Sequence, residues 1–360
     1  MKILFAILLI THGVIHCIGF VKAFNYSNIS LISDRISRPA GIFWLAAACC
    51  FITAAVLYLL NKQAWLVFVV IAVIISQVLI FSVWKDAKVG TIANIIILVA
   101  AVLIYGTVRF ESSYKNDVKE NLRRSNALKM DLLTEPDLIL LPDPVQRYLK
   151  YAGVLNKPKL RNMRIVFKGQ MREKGKDFFP FTCEQYNFFD EPTRLFFMKA
   201  IINGLTVPGY HKYSHATAIM DIRLFGIFPV VKKAGRDMDR AETVTLFNDM
   251  CLMAPATLID KRITWQVIDN RSVKAIFTNN TITISAILYF NDEGQLVDFV
   301  SNDRDANHIP FSTPVANYKN INGANIMTYG EAIWHYPYGK FVYGKFNLEA
   351  VEYNVSVLRD

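Results

Sequence analysis

Two histidines four residues apart, His12 and His16, form the pair in this sequence best suited to chemistry. On a helix, positions i and i+4 share one face, so both imidazoles would point the same way. The pair lies in the apolar run 3–20, and polar groups in such runs are costly and usually face a bundle interior. It could belong to a metal or haem site, a quinone contact or a proton relay. It could equally join helices by hydrogen bonds to polar side chains of other runs, namely Ser76, Gln77 or Asn94.

Two histidines are too few ligands for a metal, and the apolar runs hold no carboxylate that could complete a site. We therefore predict an intramembrane polar site of His12, His16 and Asn94, with no bound metal or cofactor. A second candidate is the loop residue Asp86, one of two acids in the first 110 residues. Asp86 could pair with a neighbouring lysine or bind a lipid headgroup, or it could sit in an interfacial hairpin beside the aromatic anchor Trp84.

Polar segments in the second half are weaker candidates. His211 and His215 would be about 13 Å apart on a strand, which is too far for them to share a metal. The segment Ser301–His308 could bind a cation or perform acid–base chemistry, or it could be a strand exit in which Arg304 pairs with its aspartates. There is no Gly-x-Ser-x-Gly elbow, Walker loop, Gly-x-Gly-x-x-Gly, His-Glu-x-x-His or Cys-x-x-Cys motif. This favours binding over catalysis.

The elements that must position these residues begin with four apolar runs: 3–20, 40–60, 64–84 and 91–108. Each is close to the ~20 residues that a helix needs to cross ~30 Å of hydrocarbon. The connections between them are short, which predicts an up-down four-helix bundle. The first run lacks an Ala-x-Ala cleavage site, so we interpret it as a retained helix rather than a signal peptide.

Charge gives two conflicting indications of orientation. Loops one and three hold five Lys or Arg residues against two on the other side, which places these loops in the cytoplasm and the second domain outside. When the five cations that closely follow the fourth run are counted as well, the side that carries the second domain has more cations, which would place that domain in the cytoplasm. Since long domains are exported largely regardless of charge, we predict an inner-membrane protein whose C-terminal domain is periplasmic or extracellular. Beyond residue 110 the net charge is only +4, which gives no support for nucleic-acid binding.

The rest of the chain predicts an α+β domain. A charged connector, 111–140, leads to a helix between Asp143 and Gly153, and many short β-rich segments follow. In the connector, Tyr114, Val118, Leu122 and Leu132 have rough helical spacing, so we expect 111–133 to continue the fourth run as a juxtamembrane helix, either an amphipathic surface helix or a solvated connector. Asp239 to Glu242 is typical of a capping box opening a second helix, and Asn322-Gly323 indicates a hairpin. We expect an antiparallel, curved sheet or half-barrel covered by two helices, and domains at 1–110, 111–140 and 141–360. Cys183 and Cys251 are predicted to be free buried thiols.

A concave, aromatic-rich sheet suits a hydrophobic ligand, because burying apolar area drives such binding at ~25 cal/mol per Å². The predicted function is membrane-anchored binding of a lipid or another hydrophobic small molecule, without catalysis. The predicted lining is aromatic: Phe196, Phe197, Phe247, Trp265, Phe299 and Trp334. The alternatives are a redox or cofactor-binding component that uses His12 and His16, and an envelope module that binds a protein partner the sequence does not identify.

Four segments together resemble an uncharacterised family of bacterial membrane proteins that is frequent in the Bacteroidetes: His16–Phe24, Trp84–Asn94, Leu141–Gly153 and Gly235–Ile259. The resemblance covers nearly the whole chain and implies four membrane helices followed by a β-rich domain, with no activity to carry over. The order helix, strands, helix, many strands also resembles periplasmic lipoprotein-carrier domains, which hold acyl chains in a half-open barrel. That second resemblance rests on architecture alone, and no functional residue transfers from it.

Overall fold

The computed structural model of the protein describes residues 2–27 and 31–359. The chain divides into two compact units, Met1–Val108 and Arg109–Asp360. Its helices are α1 (Lys2–Ala23), α2 (Arg38–Leu59), α3 (Trp65–Ser82), α4 (Trp84–Ala87), α5 (Val89–Asn126), α6 (Asp143–Ala152) and α7 (Arg236–Met253), with short 3₁₀ helices at Glu135–Leu138 and Pro255–Ile259.

The first unit is helical. Helices α1, α2, α3 and α5 are each long and apolar enough to cross a membrane. Small residues let α1 and α2 approach closely: a Cβ at Gly19 would lie 2.2 Å from the Trp44 ring, and one at Gly13 would lie 3.0 Å from Phe51 Cβ. Close approach at small residues is typical of helix pairs in lipid, where packing rather than apolar burial drives association.

The second unit contains a 14-stranded antiparallel sheet and a separate two-stranded hairpin. The strands are β1 (Asn162–Met171), β2 (Phe179–Phe188), β3 (Thr193–Ile202), β4 (Leu205–Ser214), β5 (Thr217–Leu224), β6 (Phe228–Ala234), β7 (Ile263–Asp269), β8 (Ser272–Asn279), β9 (Ile282–Phe290), β10 (Leu296–Ser301), β11 (Phe311–Ser312), β12 (Val315–Ala316), β13 (Lys319–Ile321), β14 (Ala324–Ile326), β15 (Tyr329–Tyr336) and β16 (Gly339–Tyr353).

The sheet is open and strongly curved. Its order is β6-β5-β4-β3-β2-β1-β16-β15-β11-β10-β9-β8-β7, so that β6 and β7 are edges and the sheet does not close into a barrel. Helix α7 nevertheless contacts β4, β5 and β6 near one edge and also β9 and β10 towards the other. A single helix can contact strands near both ends of the strand order only if the sheet curves around that helix. Register shifts help the strands bend, including one at Val166/Phe167 where β1 pairs with β16.

Both faces of the sheet are covered near β3. Helices α6 and α7 pack on the inner face in a core that includes Tyr148, Phe247 and Phe277. On the outer face, the second-unit part of α5 packs Tyr114, Val118 and Leu122 against strands β2 to β4. The sequence predicts this helical continuation of the fourth apolar run, with Leu132 on its packed face. The helical continuation is confirmed as far as Asn126, where the helix ends; the placement of Leu132 is wrong, because Leu132 is exposed whereas Leu133 is buried.

The predicted capping box does not form. Helix α7 begins at Arg236, three residues before Asp239, and the Asp239 carboxylate accepts a hydrogen bond from the backbone N–H of Ala218 on β5. Glu242 is therefore free to point inward, where it is buried. The two-residue hairpin is confirmed, since Asn322 and Gly323 both have positive φ and connect β13 to β14. Cys183 and Cys251 are both buried and free.

Candidate functional site

A cavity of about 120 Å³ lies between α7 and the inner face of the sheet. Its walls come from strands distant in sequence but brought together by the curvature, together with the segment before β11. Most of the wall is apolar and includes three methionines and four phenylalanines: Met171, Met253, Met327, Phe167, Phe196, Phe311 and Phe346. Methionine is unbranched and adapts to irregular shapes, so these walls can deform around a guest.

Helix α7 gives the cavity a polar end and an apolar end. The stretch of α7 from Glu242 to Asp249 contributes the polar side chains Glu242, Thr245, Asn248 and Asp249 to the wall, whereas the last turn contributes Leu252 and Met253. Asn248 donates a hydrogen bond to Thr313 Oγ1 at 2.6 Å, across the cavity. A molecule lying along α7 would therefore meet polar groups at one end and aliphatic ones at the other.

The polar end is built around a buried arginine. Arg194 on β3 donates through Nε to Asp249 Oδ2 at 2.8 Å, through Nη1 to Glu242 Oε2 at 3.0 Å and through Nη2 to Gln185 Oε1 at 2.9 Å. Asp249 Oδ2 also accepts from Gln185 at 2.7 Å and from Asn187 at 3.0 Å. The side chains of Arg194, Glu242 and Asp249 are each at most 8% exposed.

Burial and pairing act in opposite directions on the two carboxyls. Burial favours the neutral form of Glu242, but Arg194, His211 and Arg304 outweigh it and lower the pKa of Glu242 to about 2. Burial raises the pKa of Asp249, against the opposing effect of Arg194 and the amide donors. Because the guanidinium contacts both groups, the three residues form one electrostatic unit.

His211 on β4 extends this cluster into the cavity. Its Nδ1 lies 3.7 Å from Glu242 Oε1, and its ring packs 5.4 Å from that of Phe196. Its Nε2 is buried without a hydrogen-bond partner among the residues that the structure describes. An imidazole nitrogen in this situation can accept a hydrogen bond from a guest or, when protonated, donate one.

Arg304 lies at the wall formed by the segment before β11. Its guanidinium carbon is 4.1 Å from the ring centroid of Phe311, 5.7 Å from that of Trp334 and 5.8 Å from that of Tyr343, and it donates to the Tyr343 hydroxyl. The sequence suggests that Arg304 could pair with the aspartates beside it. It does not, since Asp303 pairs with Arg240 and accepts from Ser285 on β9 instead.

The fold places the six residues predicted to line the ligand site in different environments. Phe196 lines the cavity. Phe247 and Phe299 are fully buried core residues, and Phe247 stacks on Phe277 at 5.0 Å. Phe197, one residue after Phe196 on the strand, faces the outer side and stacks on Tyr114 at 5.2 Å. Ligand contact by all six therefore stays a prediction.

The other two aromatics lie near the edge of the inner core and beside the cavity wall. Trp265 on β7 is half-buried against the core, and Trp334 packs against Phe311, which itself lines the cavity. Sequence reasoning missed the polar end of the cavity, because nothing in the local sequence around Arg194 shows that α7 will supply its carboxylates. The dense polar segment 301–308 was the available signal for Arg304.

The predicted intramembrane polar site is a hydrogen-bonded network within the first unit. His12 Nε2 lies 2.9 Å from Asn94 Oδ1, and His16 Nε2 lies 2.8 Å from Ser76 Oγ. His16 Nδ1 also reaches the backbone carbonyl of His12 at 2.8 Å. Asn94 in turn bonds to Ser76 at 2.9 Å and to Gln77 at 3.1 Å. These contacts join α1, α3 and α5, which is the structural alternative that the sequence raises for the pair.

Asp86 has a partner that the sequence does not predict. Its Oδ2 accepts hydrogen bonds from the backbone N–H and the hydroxyl of Ser33, both at 2.6 Å. These bonds lower the pKa of Asp86, because they favour the charged carboxylate. Asp86 thus ties the loop between α1 and α2 to the short helix α4. Across residues 2–27 and 31–359, no group of three or more His, Cys, Asp or Glu side chains is arranged to hold a metal.

Solved structures resemble the chain only at low similarity. A LolA-superfamily protein from Nitrosomonas europaea is 10% identical, with a TM-score of 0.37, and the match covers 60% of this chain and 94% of that one. A porin-like protein from Bacteroides uniformis is 9% identical, with a TM-score of 0.23, and the match covers 54% of this chain and 96% of that one. Curated protein sequences give no match.

The sequence of the second unit does match a family model, over residues 131–346. That range takes in α6, α7 and all strands up to the middle of β16, and therefore every element that lines the cavity. The chain belongs to DUF6544, a family of unknown function.

Proposed function

We propose that the second unit binds a hydrophobic, lipid-like ligand in the cavity beside α7. The observation that carries this proposal is the cavity itself, an apolar, methionine-rich space inside a curved sheet with a polar cluster at one end. Ligand sites are mostly apolar concavities with a few placed polar groups, and this cavity has that composition. The proposed role is binding rather than catalysis.

The cavity must widen to take a chain-length ligand. Its volume is about 120 Å³. Ligand sites commonly run from about 300 Å³ upwards. The sheet can accommodate such widening because it is open: no ladder joins β6 to β7, so the two ends of the sheet can move apart without breaking strand hydrogen bonds.

We further propose that the four apolar helices cross the bacterial inner membrane and tether the binding unit to it. The ligand would then come from, or go to, the same bilayer. The cations of loops one and three support a second unit outside the cytoplasm, as argued from the sequence. A tethered binding unit works at high effective concentration relative to its own membrane, which suits a sparingly soluble ligand.

The test is ligand capture by the full-length protein in a non-ionic detergent. Mass spectrometry should find a copurifying hydrophobic small molecule, and a hydrophobic dye should bind and be displaced by a long-chain lipid. The cavity-filling variant Ala332→Phe should lose dye binding by tenfold or more, because Ala332 lines the cavity (about 1.4 kcal/mol per tenfold).

The matched control is Ala350→Phe. It makes the same substitution on the adjacent strand β16, at a position outside the cavity wall, and should leave dye binding unchanged. Dye binding that Ala332→Phe leaves intact, or wild-type protein that takes up neither dye nor lipid, would refute the proposal.

A further inference from the structure

We infer that the cavity selects an amphiphile with an anionic head, a carboxylate or a phosphate ester, and that Arg304 binds this head while the tail lies against Leu252 and Met253. This inference rests on the proposed function and specifies its ligand class. It joins two independent features of the cavity: a cation without an ionic partner at the polar end, and an aliphatic turn of α7 at the other.

The first step is the state of Arg304. Among the residues described, its guanidinium makes no ion pair; it donates to one hydroxyl, that of Tyr343, and lies against three aromatic rings. A guanidinium has five N–H donors in a rigid fork that matches carboxylate and phosphate oxygens. Stacking holds the plane of the fork in place, so less side-chain entropy is lost when an anion binds.

The second step compares the other charged side chains of the wall. Arg194 is matched by Glu242 and Asp249, and each of these accepts from Arg194. Glu331 accepts from the Tyr329 hydroxyl at 2.7 Å. Asp303, next to Arg304 in sequence, is occupied by Arg240. Arg304 is therefore the cation in the wall whose charge no described carboxylate matches by direct contact.

The third step is the histidine. His211 Nε2 is buried and has no hydrogen-bond partner among the described residues, and the His211 ring lies beside Glu242. The positive charge of Arg304 also acts on Glu242, so Arg304 belongs to the same polar end of the cavity. A head group with several oxygens can accept from Arg304 and contact His211 Nε2 at once. A plain hydrocarbon would leave His211 Nε2 unsatisfied, which is costly for a buried polar atom, and would leave the charge of Arg304 without an anion.

The experiment measures affinities of the full-length protein for single-chain probes of equal chain length: a fatty acid, a monoalkyl phosphate, an alcohol and an amine. Inorganic phosphate alone is the head-only arm. We expect the acid or the phosphate to bind about tenfold more tightly than the alcohol, the size of a charge-assisted hydrogen bond. The stronger of the two identifies the head.

Arg304→Gln should remove the preference for the anionic probe and leave the alcohol within about twofold of wild type. The control is Arg172→Gln. Arg172 is also stacked, over Phe178 and Phe341, and donates to the Val342 carbonyl, but it does not line the cavity, so the preference should persist. Arg304→Lys keeps the charge but not the fork, and it should bind the anionic probe several-fold more weakly than wild type.

Three outcomes overturn the inference: equal binding of acid, phosphate and alcohol by wild type, tightest binding of the amine, or an anion preference that survives in Arg304→Gln. Inorganic phosphate that competes as well as the alkyl phosphate would also overturn it, in favour of a free-anion site. If Arg304→Gln does not fold, the wild-type probe series and Arg304→Lys still decide. Binding of none of the probes would instead refute the proposed function itself.

Discussion

Arg194 shows how strongly one residue can determine the interior of this fold. Its guanidinium directly contacts two carboxylates, Glu242 and Asp249, that are each at most 8% exposed. We predict that Arg194→Met lowers the free energy of unfolding by about 3–5 kcal/mol, the usual effect of leaving a buried charge unpaired. The measurement is thermal or denaturant unfolding of the full-length protein in detergent, followed by tryptophan fluorescence.

Arg124 is the matched control for Arg194. It also pairs with two acids, Asp190 at 3.1 Å and Glu191 at 2.7 Å, but its side chain is 30% exposed. Arg124→Met should therefore cost about 0–1 kcal/mol. The triple variant Arg194→Met, Glu242→Gln, Asp249→Asn should recover much of the loss. Equal effects of the two single variants would contradict the role of burial.

Asp298 on β10 makes stability depend on pH. Burial raises its pKa to about 6, against weaker opposing effects of backbone donors and Lys340. The folded state then holds a proton more tightly than the unfolded state, whose aspartate titrates near its ordinary pKa of about 3.9. Stability should fall as the pH rises through the window between these values and stay lower above it.

Asp298→Asn should therefore stabilise the protein at pH 7 and have no effect near pH 3.5. The shift corresponds to roughly 1–3 kcal/mol, with part of it lost to solvent screening. Unfolding of both proteins across this range tests the sign. A variant that is destabilised at pH 7 would show that the carboxylate is stabilised in the folded state, and a gain that persists in acid would show that the effect does not come from ionisation of Asp298.

At this scale the sequence predicts some partners and misses others for a physical reason. The network of His12 and His16 follows from helical spacing and the few polar residues in the apolar runs, and Asn94 and Ser76 are indeed its partners. The pairing of Arg194 with Asp249 joins positions 55 residues apart. It depends on how far the sheet curves around α7, and no local pattern encodes that angle.

At the scale of elements, α5 has two environments along one continuous helix. Its second-unit part covers the outer face of the sheet with Phe110, Tyr114, Val118 and Leu122, and Tyr210 on β4 donates to Asp117 Oδ2 at 2.7 Å. Burial and this hydrogen bond to a carboxylate raise the pKa of Tyr210 far above its usual range. The helix therefore forms part of the second unit rather than a free connector.

We predict that Val118→Asp destabilises the second unit by several kcal/mol, because Val118 is fully buried and a carboxylate there would find no partner (of order 3–5 kcal/mol for an unpaired buried charge). The adjacent Lys119 is exposed, and Lys119→Asp should change stability by less than about 0.5 kcal/mol. Hydrogen exchange of β2, β3 and β4 is the readout, and exchange that Val118→Asp leaves unchanged would argue for a detached helix.

Periodicity predicts element type well here and element edges less well. Helix α6 and the turn at Gly153 follow from one amphipathic stripe and one left-handed residue, as observed. The start of α7 was misplaced because Asp239 and Glu242 have capping-box spacing, yet Asp239 bonds to β5 and Glu242 to Arg194. Both side chains bond to residues of other elements instead of capping the helix, and the contact of Glu242 with Arg194 forms part of the polar end of the cavity.

At the scale of the whole molecule, the two units differ in which side chains they expose. The four apolar helices expose many large aliphatic side chains, among them Ile3, Leu4, Ile74 and Val78, as helices that face lipid do. The second unit buries its aliphatic side chains in the sheet and around α7. A single chain built in this way is expected to fold part of itself in the bilayer and part in water.

The last prediction follows from that division and concerns membrane insertion and sidedness. Protein in isolated membranes should stay in the pellet after an alkaline carbonate wash, because ~20 apolar residues per helix anchor it in the hydrocarbon.

A tag after residue 359 should be cleaved by protease added to intact spheroplasts, since the cations of loops one and three favour the cytoplasm. Replacing Lys85 and Lys88 with Gln weakens that bias and should increase the protected fraction, whereas the same change at Lys168 and Lys176, far from the helices in sequence, should not. A tag protected in spheroplasts but cleaved in inverted vesicles would place the binding unit in the cytoplasm and would require its ligand to come from the inner leaflet.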